Sequence, residues 1–380
     1  MGTVVGSGLL VLGLAAGAAA APAAPDTGAR TKAILPPALP WSGRSEALIA
    51  PAGHPWITPA EAAGFVSTPS YDETVAWLRR LAAAAPEVRL VSLGRSPEGR
   101  DIWMVVASRE RAATPEALRA GGKPTLFVQC GIHSGEIDGK DAGLMLLRDL
   151  TLGSRKALLD GANLLLVPIF NVDGHERASP YARINQRGPS PSGWRTTARN
   201  LNLNRDYGKL DAPETRALVS ALDRWAPDLF LDIHVTDGID YQYDVTFGHN
   251  ARGWSPAIGE WLEKAFTPAV RSDLTAMGHV PGGLVFAVDD LDLVKGIGRG
   301  NAQLRFSTGY GDARHLPTVL VENHSLKPYR QRVLGTYVLV ESALRLVARE
   351  APALRAAVAA DRARRAPDLP VDWKPRAEPP

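Results

Sequence analysis

His133-Ser134-Gly135-Glu136 sets an imidazole and a carboxylate three positions apart across a glycine-containing turn. Two such groups from one turn, with a third from elsewhere, hold a tetrahedral zinc ion and leave one position open for water. His234 is the natural third ligand, because it ends a separate apolar run. A hydrolytic zinc site also needs a general base beside its water, and Glu322, closing Val319-Leu320-Val321, fits that role. Asn204-Arg205 sits in a stretch crowded with amide and guanidinium donors, from Arg199 to Tyr207. An asparagine beside an arginine can grip a carboxylate through several hydrogen bonds, the arginine supplying a planar fork. Taken singly, each has a plain structural explanation: a satisfied core histidine, a Glu–Arg ion pair, a solvated Asn-rich turn.

Composition narrows the field. Cys130 is the single cysteine, which excludes an intrachain disulfide framework and a Cys-rich zinc ribbon, so metal ligands must be His and carboxylate. With 45% hydrophobic and 22% charged residues, the 380-residue chain is neither disordered nor fibrous. A formal charge of +3 is too small to argue for nucleic acid or an anionic membrane as partner. The first 24 residues carry no charge, and Gly8 to Ala20 are apolar before Ala-rich small residues. That pattern reads as a secretory signal peptide, hence a secreted or periplasmic protein without stable membrane insertion.

The elements that must position these residues follow from periodicity. Ser70 and Glu73 form a capping box, and Val75, Leu78 and Leu81 recur on one face of a helix that ends at Pro86. Two strand-like runs, 88–93 and 102–107, flank the turn Ser96-Pro97-Glu98-Gly99 and predict an antiparallel hairpin. From Thr125 onward, continuous apolar runs alternate with helical patterns, as in a mostly parallel sheet covered on both faces. Runs at 125–129, 164–170, 229–233 and 318–321 lead respectively to His133 and Glu136, to Asn171 and Asp173, to His234, and to Glu322. Ligands of open α/β sheets bind at that carboxyl edge. A helix is expected over 138–150 and a last amphipathic helix over 328–349.

The ordered set His133, Glu136, Asn204, Arg205, His234, Glu322 resembles the M14-type zinc metallocarboxypeptidases, as does Pro168-Ile169-Phe170-Asn171-Val172-Asp173-Gly174. The resemblance covers about residues 65–345. It implies a three-layer α/β/α sandwich with a mixed, mainly parallel sheet of about eight strands. It also implies one zinc ion on His133, Glu136 and His234, Glu322 as general base, and Asn204 and Arg205 on the terminal carboxylate of a peptide with a free C-terminus. An upstream arginine would stabilise the oxyanion: Arg183, in Arg183-Ile184-Asn185, is preferred, with Arg195 its rival. Tyr310 is the nearest counterpart of the family's substrate-clamping tyrosine. Asn202 stands where the family commonly has the aspartate that orients a zinc histidine, which implies weaker orientation. His175, His249, His279, His315 and His324 are read as structural.

The expected organisation is a signal peptide at 1–24, a Pro/Ala-rich lead-in at 25–60, a catalytic domain at 61–350, and an Arg-rich helix with a Pro-rich tail at 351–380. Two other functions compete. One is the related zinc-dependent deacylases of N-acyl amino acids, which lack the N-terminal hairpin and the Pro-x-x-Asn-x-Asp-Gly context. The other is a non-catalytic binding protein on the same fold, which would have shed a ligand or the base.

Overall fold

The computed structural model describes residues 35–365 apart from 252 and 290. The expected signal peptide and the Pro-rich tail lie outside the described residues. Ten strands follow in chain order: β1 (Val88–Arg95), β2 (Asp101–Ala107), β3 (Thr125–Cys130), β4 (Asn163–Val167), β5 (Leu229–Val235), β6 (Val245–Gly248), β7 (Pro281–Gly283), β8 (Phe286–Ala287), β9 (Ile297–Gly298) and β10 (Thr318–Asn323). Eight of them form one sheet in the order β1-β2-β4-β3-β5-β10-β6-β7, while β8 and β9 form a separate ribbon. The central block β4-β3-β5-β10 is parallel, and antiparallel pairs flank it on both sides. β3, β4 and β5 are buried at every position, so apolar residues predominate on both of their faces instead of alternating with polar ones.

The helix Tyr71–Ala84 begins at the expected capping box and buries Val75, Trp77, Leu78 and Leu81. Each such side chain contributes about 1.5–3 kcal/mol. The helix Asp138–Thr151 follows the His133–Glu136 turn and packs against the long C-terminal helix Tyr329–Ala363.

Three expectations change. The C-terminal helix does not stop at 349 but runs to Ala363 through Pro352. Tertiary contacts hold the added turns: Leu354 is buried, Arg355 Nε lies 2.6 Å from Asp228, and Asp361 accepts the backbone N–H groups of Ala257 and Ile258. The lead-in is also more than a linker. Trp41 Nε1 donates to the Gly278 carbonyl at 2.9 Å, and buried Glu61 pairs with Arg148 at 2.7 Å. Finally, the 164–170 run leaves the ladder after Val167, at Pro168, which has no N–H to donate. Among the described residues, no helix is long and apolar enough to cross a membrane.

Candidate active site

The carboxyl ends of β3, β5 and β10 meet at the middle of the sheet. After Cys130, Gly131 turns the chain at a φ of +66°, where a side chain would be strained and would meet Ile137. A tight turn then closes through Glu136 N–H to the His133 carbonyl at 2.8 Å. Gly135 is required by contact instead, since a Cβ there would come within 2.5 Å of the Arg183 side chain. His234 lies within β5, in register with Glu322 on β10, so both project from neighbouring strands.

These placements bring His133, Glu136 and His234 together, all buried, with candidate ligand atoms within 4.8 Å of one another. His133 Nδ1 lies 3.0 Å from Glu136 Oε1 and His234 Nδ1 lies 3.0 Å from Glu136 Oε2. The outer nitrogens lie near oxygen acceptors: His133 Nε2 is hydrogen-bonded to Asn202 Oδ1 at 3.1 Å, and His234 Nε2 lies at an ion-pair distance of 3.0 Å from Asp232 Oδ2, off hydrogen-bond geometry. Protons held on both Nε2 atoms would leave the Nδ1 lone pairs converging, the arrangement a metal requires. Asn202 therefore does reach the histidine, with an amide oxygen in place of a carboxylate.

Asp232 was not singled out from the sequence, although it stands two residues before His234 on one strand and so shares its face. Its other oxygen accepts from Gln129 Nε2 at 2.7 Å, and Gln129 Oε1 accepts from Tyr207 at 3.0 Å.

Glu136 is held well below the usual carboxylate range. Burial alone would raise it, but His133 and Arg183 outweigh that. Burial pulls His133 down, against the opposing pull of Glu136. Burial pushes Glu322 up to about 8, opposed by His234 and aided by Glu136 and Asp237. Its Oε2 is buried without a hydrogen-bond partner among the described residues. Two imidazoles and a carboxylate converging beside that orphaned oxygen fit a zinc ion with an adjacent base.

A cleft of about 880 Å³ opens over this centre, and His133, Glu136, His234, Glu322, Asn204, Arg205 and Arg195 all line it. Arg205 is exposed, with its guanidinium 4.6 Å from the centre of the Phe306 ring. Among the described residues no carboxylate pairs with it, and burial together with Arg195 and Arg305 lowers its pKa. Asn204 Oδ1 is buried and has no hydrogen-bond partner among the described residues.

Two expected residues are not in the cleft wall. Arg183 lies behind Glu136, donating to Glu136 Oε1 at 2.9 Å and to Gln186 and the Val235 and Thr236 carbonyls. Its N–H groups are spent on scaffold, whereas its rival Arg195 lines the cleft and also donates to Glu136 Oε1, at 3.3 Å. Tyr310 lies in the helix Ser307–Ala313 and packs on Tyr207, ring centres 5.7 Å apart. Thr308 of that helix lines the cleft, and residues two apart on a helix point in nearly opposite directions. His249, read as structural, also lines the cleft, whereas His279 is held by Asp244 and Ser45 and His315 by Ser255.

The family model for zinc carboxypeptidases, Peptidase M14, matches residues 74–265, half of the chain. Human carboxypeptidase D is 28% identical over 250 residues, covering 56% of this chain and 18% of that protein. Carboxypeptidase Z of Gallus gallus is 30% identical over 158 residues, covering 39% of this chain and 23% of its own. The chain thus spans less than a quarter of either relative's length. The crystal structure of a Pseudomonas aeruginosa metallo-carboxypeptidase superposes with a TM-score of 0.53 at 21% identity, covering 76% of this chain and 70% of that one, and so shares the fold. Glu322 lies beyond the family match and is placed by its register with His234. With half its length matched to the family model, on a sheet of this topology, the chain belongs to the zinc carboxypeptidase family, Peptidase M14.

Proposed function

We propose that the protein is an exported zinc carboxypeptidase that releases C-terminal residues from peptides. The observation that carries this reading is the unpaired Arg205 in the same cleft as the His133–Glu136–His234 cluster and the orphaned Glu322 oxygen. A cation without a counter-ion, next to Asn204, is a seat for a free terminal carboxylate. One zinc ion held by His133, Glu136 and His234 would supply Lewis acidity to a carbonyl oxygen and to water. Glu322, in its ionised form, takes the proton of the attacking water on its free Oε2 and returns it to the departing amine. Arg195 presents N–H donors to the oxygen that gains charge. Asn202 and Asp232 keep the two imidazoles oriented. Export rests on the uncharged, apolar residues 1–24. The catalytic unit in this reading is residues 61–350, with the lead-in and the last helical turns packed upon it.

The test compares one peptide with a free and with an amidated C-terminus. Amidation removes the charge Arg205 would bind, so kcat/KM should fall by about 10²-fold or more. Equal cleavage of the two forms, or cleavage by the Glu322→Gln variant at the wild-type rate, would refute the assignment.

A further inference from the structure

We infer that the side-chain end of the cleft selects an apolar C-terminal residue and turns away lysine and arginine; this rests on the carboxypeptidase reading above. Leu320 and Glu322 are two apart on β10, so both project into the cleft. A peptide with its carboxylate on Arg205 and its carbonyl beside Glu322 therefore runs its terminal side chain past Leu320. The ladder partner of Leu320 is Gly248, and Leu284 packs so closely there that a Cβ on Gly248 would come within 2.7 Å of it. The floor of this end is thus hydrocarbon and bare backbone.

Of the polar groups beside it, His249 keeps an Nε2 without a hydrogen-bond partner among the described residues but offers no negative charge, and Asn250 is already spent. Asn250 bonds both the N–H and the carbonyl of Ala302, at 2.8 and 3.1 Å, and reaches Asp312 at 3.3 Å. Asp312 also accepts the backbone N–H groups of Trp254 and Ser255, at 3.0 and 2.9 Å. Among the described residues, the carboxylates that line the cleft are Glu136 and Glu322, at the reaction centre, and Asp237, which is exposed and pairs with Arg183 and Arg195. None is left to meet an ammonium or guanidinium group at the Leu320 end. A cation placed there would lose its water without gaining a counter-charge.

The experiment uses the full zinc-loaded chain and four benzoyl-glycyl peptides ending in Leu, Phe, Lys or Arg. It reads kcat/KM on the wild type and, by calorimetry, binding of the same peptides to Glu322→Gln. Leu and Phe should exceed Lys and Arg by about 10²-fold in both. Equal or reversed preference overturns the inference and leaves the carboxypeptidase reading intact. Selective binding to Glu322→Gln without wild-type cleavage sinks that reading and supports the selectivity. Failure of the variant to bind any of the four overturns the inference. Leu320→Asp should shift the preference toward Lys by about tenfold or more, with Thr308→Asp as a second site should the first variant melt early. If both variants fold and neither shifts, the inference is wrong.

Discussion

Replacing Asp232 by Asn should weaken zinc binding far more than its size suggests, because the buried network around it has a fixed polarity. Tyr207 donates to Gln129 Oε1, which turns the Gln129 amide N–H toward Asp232 at 2.7 Å. In Asp232→Asn the new Oδ1 must accept that bond, and the new Nδ2 then faces His234 Nε2 as a second donor. The clash is relieved if His234 moves its proton to Nδ1, which removes the lone pair that points at Glu136. Loss of such a supporting group costs about 10–100-fold in metal affinity, or about 1.4–2.8 kcal/mol. The reversed polarity puts this variant at the upper end. The double variant Gln129→Glu/Asp232→Asn restores the sequence of donors and acceptors with the same net charge, and should regain about tenfold. Competition against a chromophoric chelator reads the affinity, and melting of the metal-free protein separates it from stability. A loss under about threefold for Asp232→Asn, or no recovery in the double variant, would refute the account of His234 orientation.

Other substitutions separate residues that the sequence alone could not. Arg195→Ala should lower kcat by about 10²–10³-fold, with a smaller loss of zinc affinity than Arg183→Ala because its bond to Glu136 Oε1 is longer, 3.3 Å against 2.9 Å. Arg183→Ala should instead weaken zinc binding and lower Tm, since it withdraws a 2.9 Å bond from Glu136; kinetics and metal titration together distinguish the two. Tyr310→Phe should leave kcat within about twofold in the same assay, because a side chain outside the cleft makes no contact with the transition state. Arg148→Met leaves the buried Glu61 carboxylate without its counter-ion, though still bonded by Ala50 and Thr58, and should cost about 3 kcal/mol in urea unfolding.

The strand ends and their ligands were readable because burial on both faces writes itself as apolar runs, and because ligands cluster where those runs stop. His133, Glu136, His234 and Glu322 all come together at that edge, on strands whose parallel order follows from their alternation with helices. What was not readable depends on distant contacts. Arg183 and Arg195 look equivalent as residue types, and only the fold shows one behind Glu136 and the other facing the cleft. Tyr310 lost its expected place through a matter of helical phase with Thr308. The run through Pro352 breaks a local rule because Asp228 and the 257–258 backbone anchor the turns beyond it. Asp232 obeyed the two-residue period of a strand and could have been found from it.

The central claim is that this cleft removes residues from a free C-terminus with the help of zinc. Mass spectrometry of a mixed peptide pool, incubated with the zinc-supplemented protein with and without a chelator, tests it most directly. The account predicts ladders that shorten one residue at a time from the C-terminus and vanish with chelator. Intact peptides, internal cleavage, or ladders that persist with chelator would contradict it.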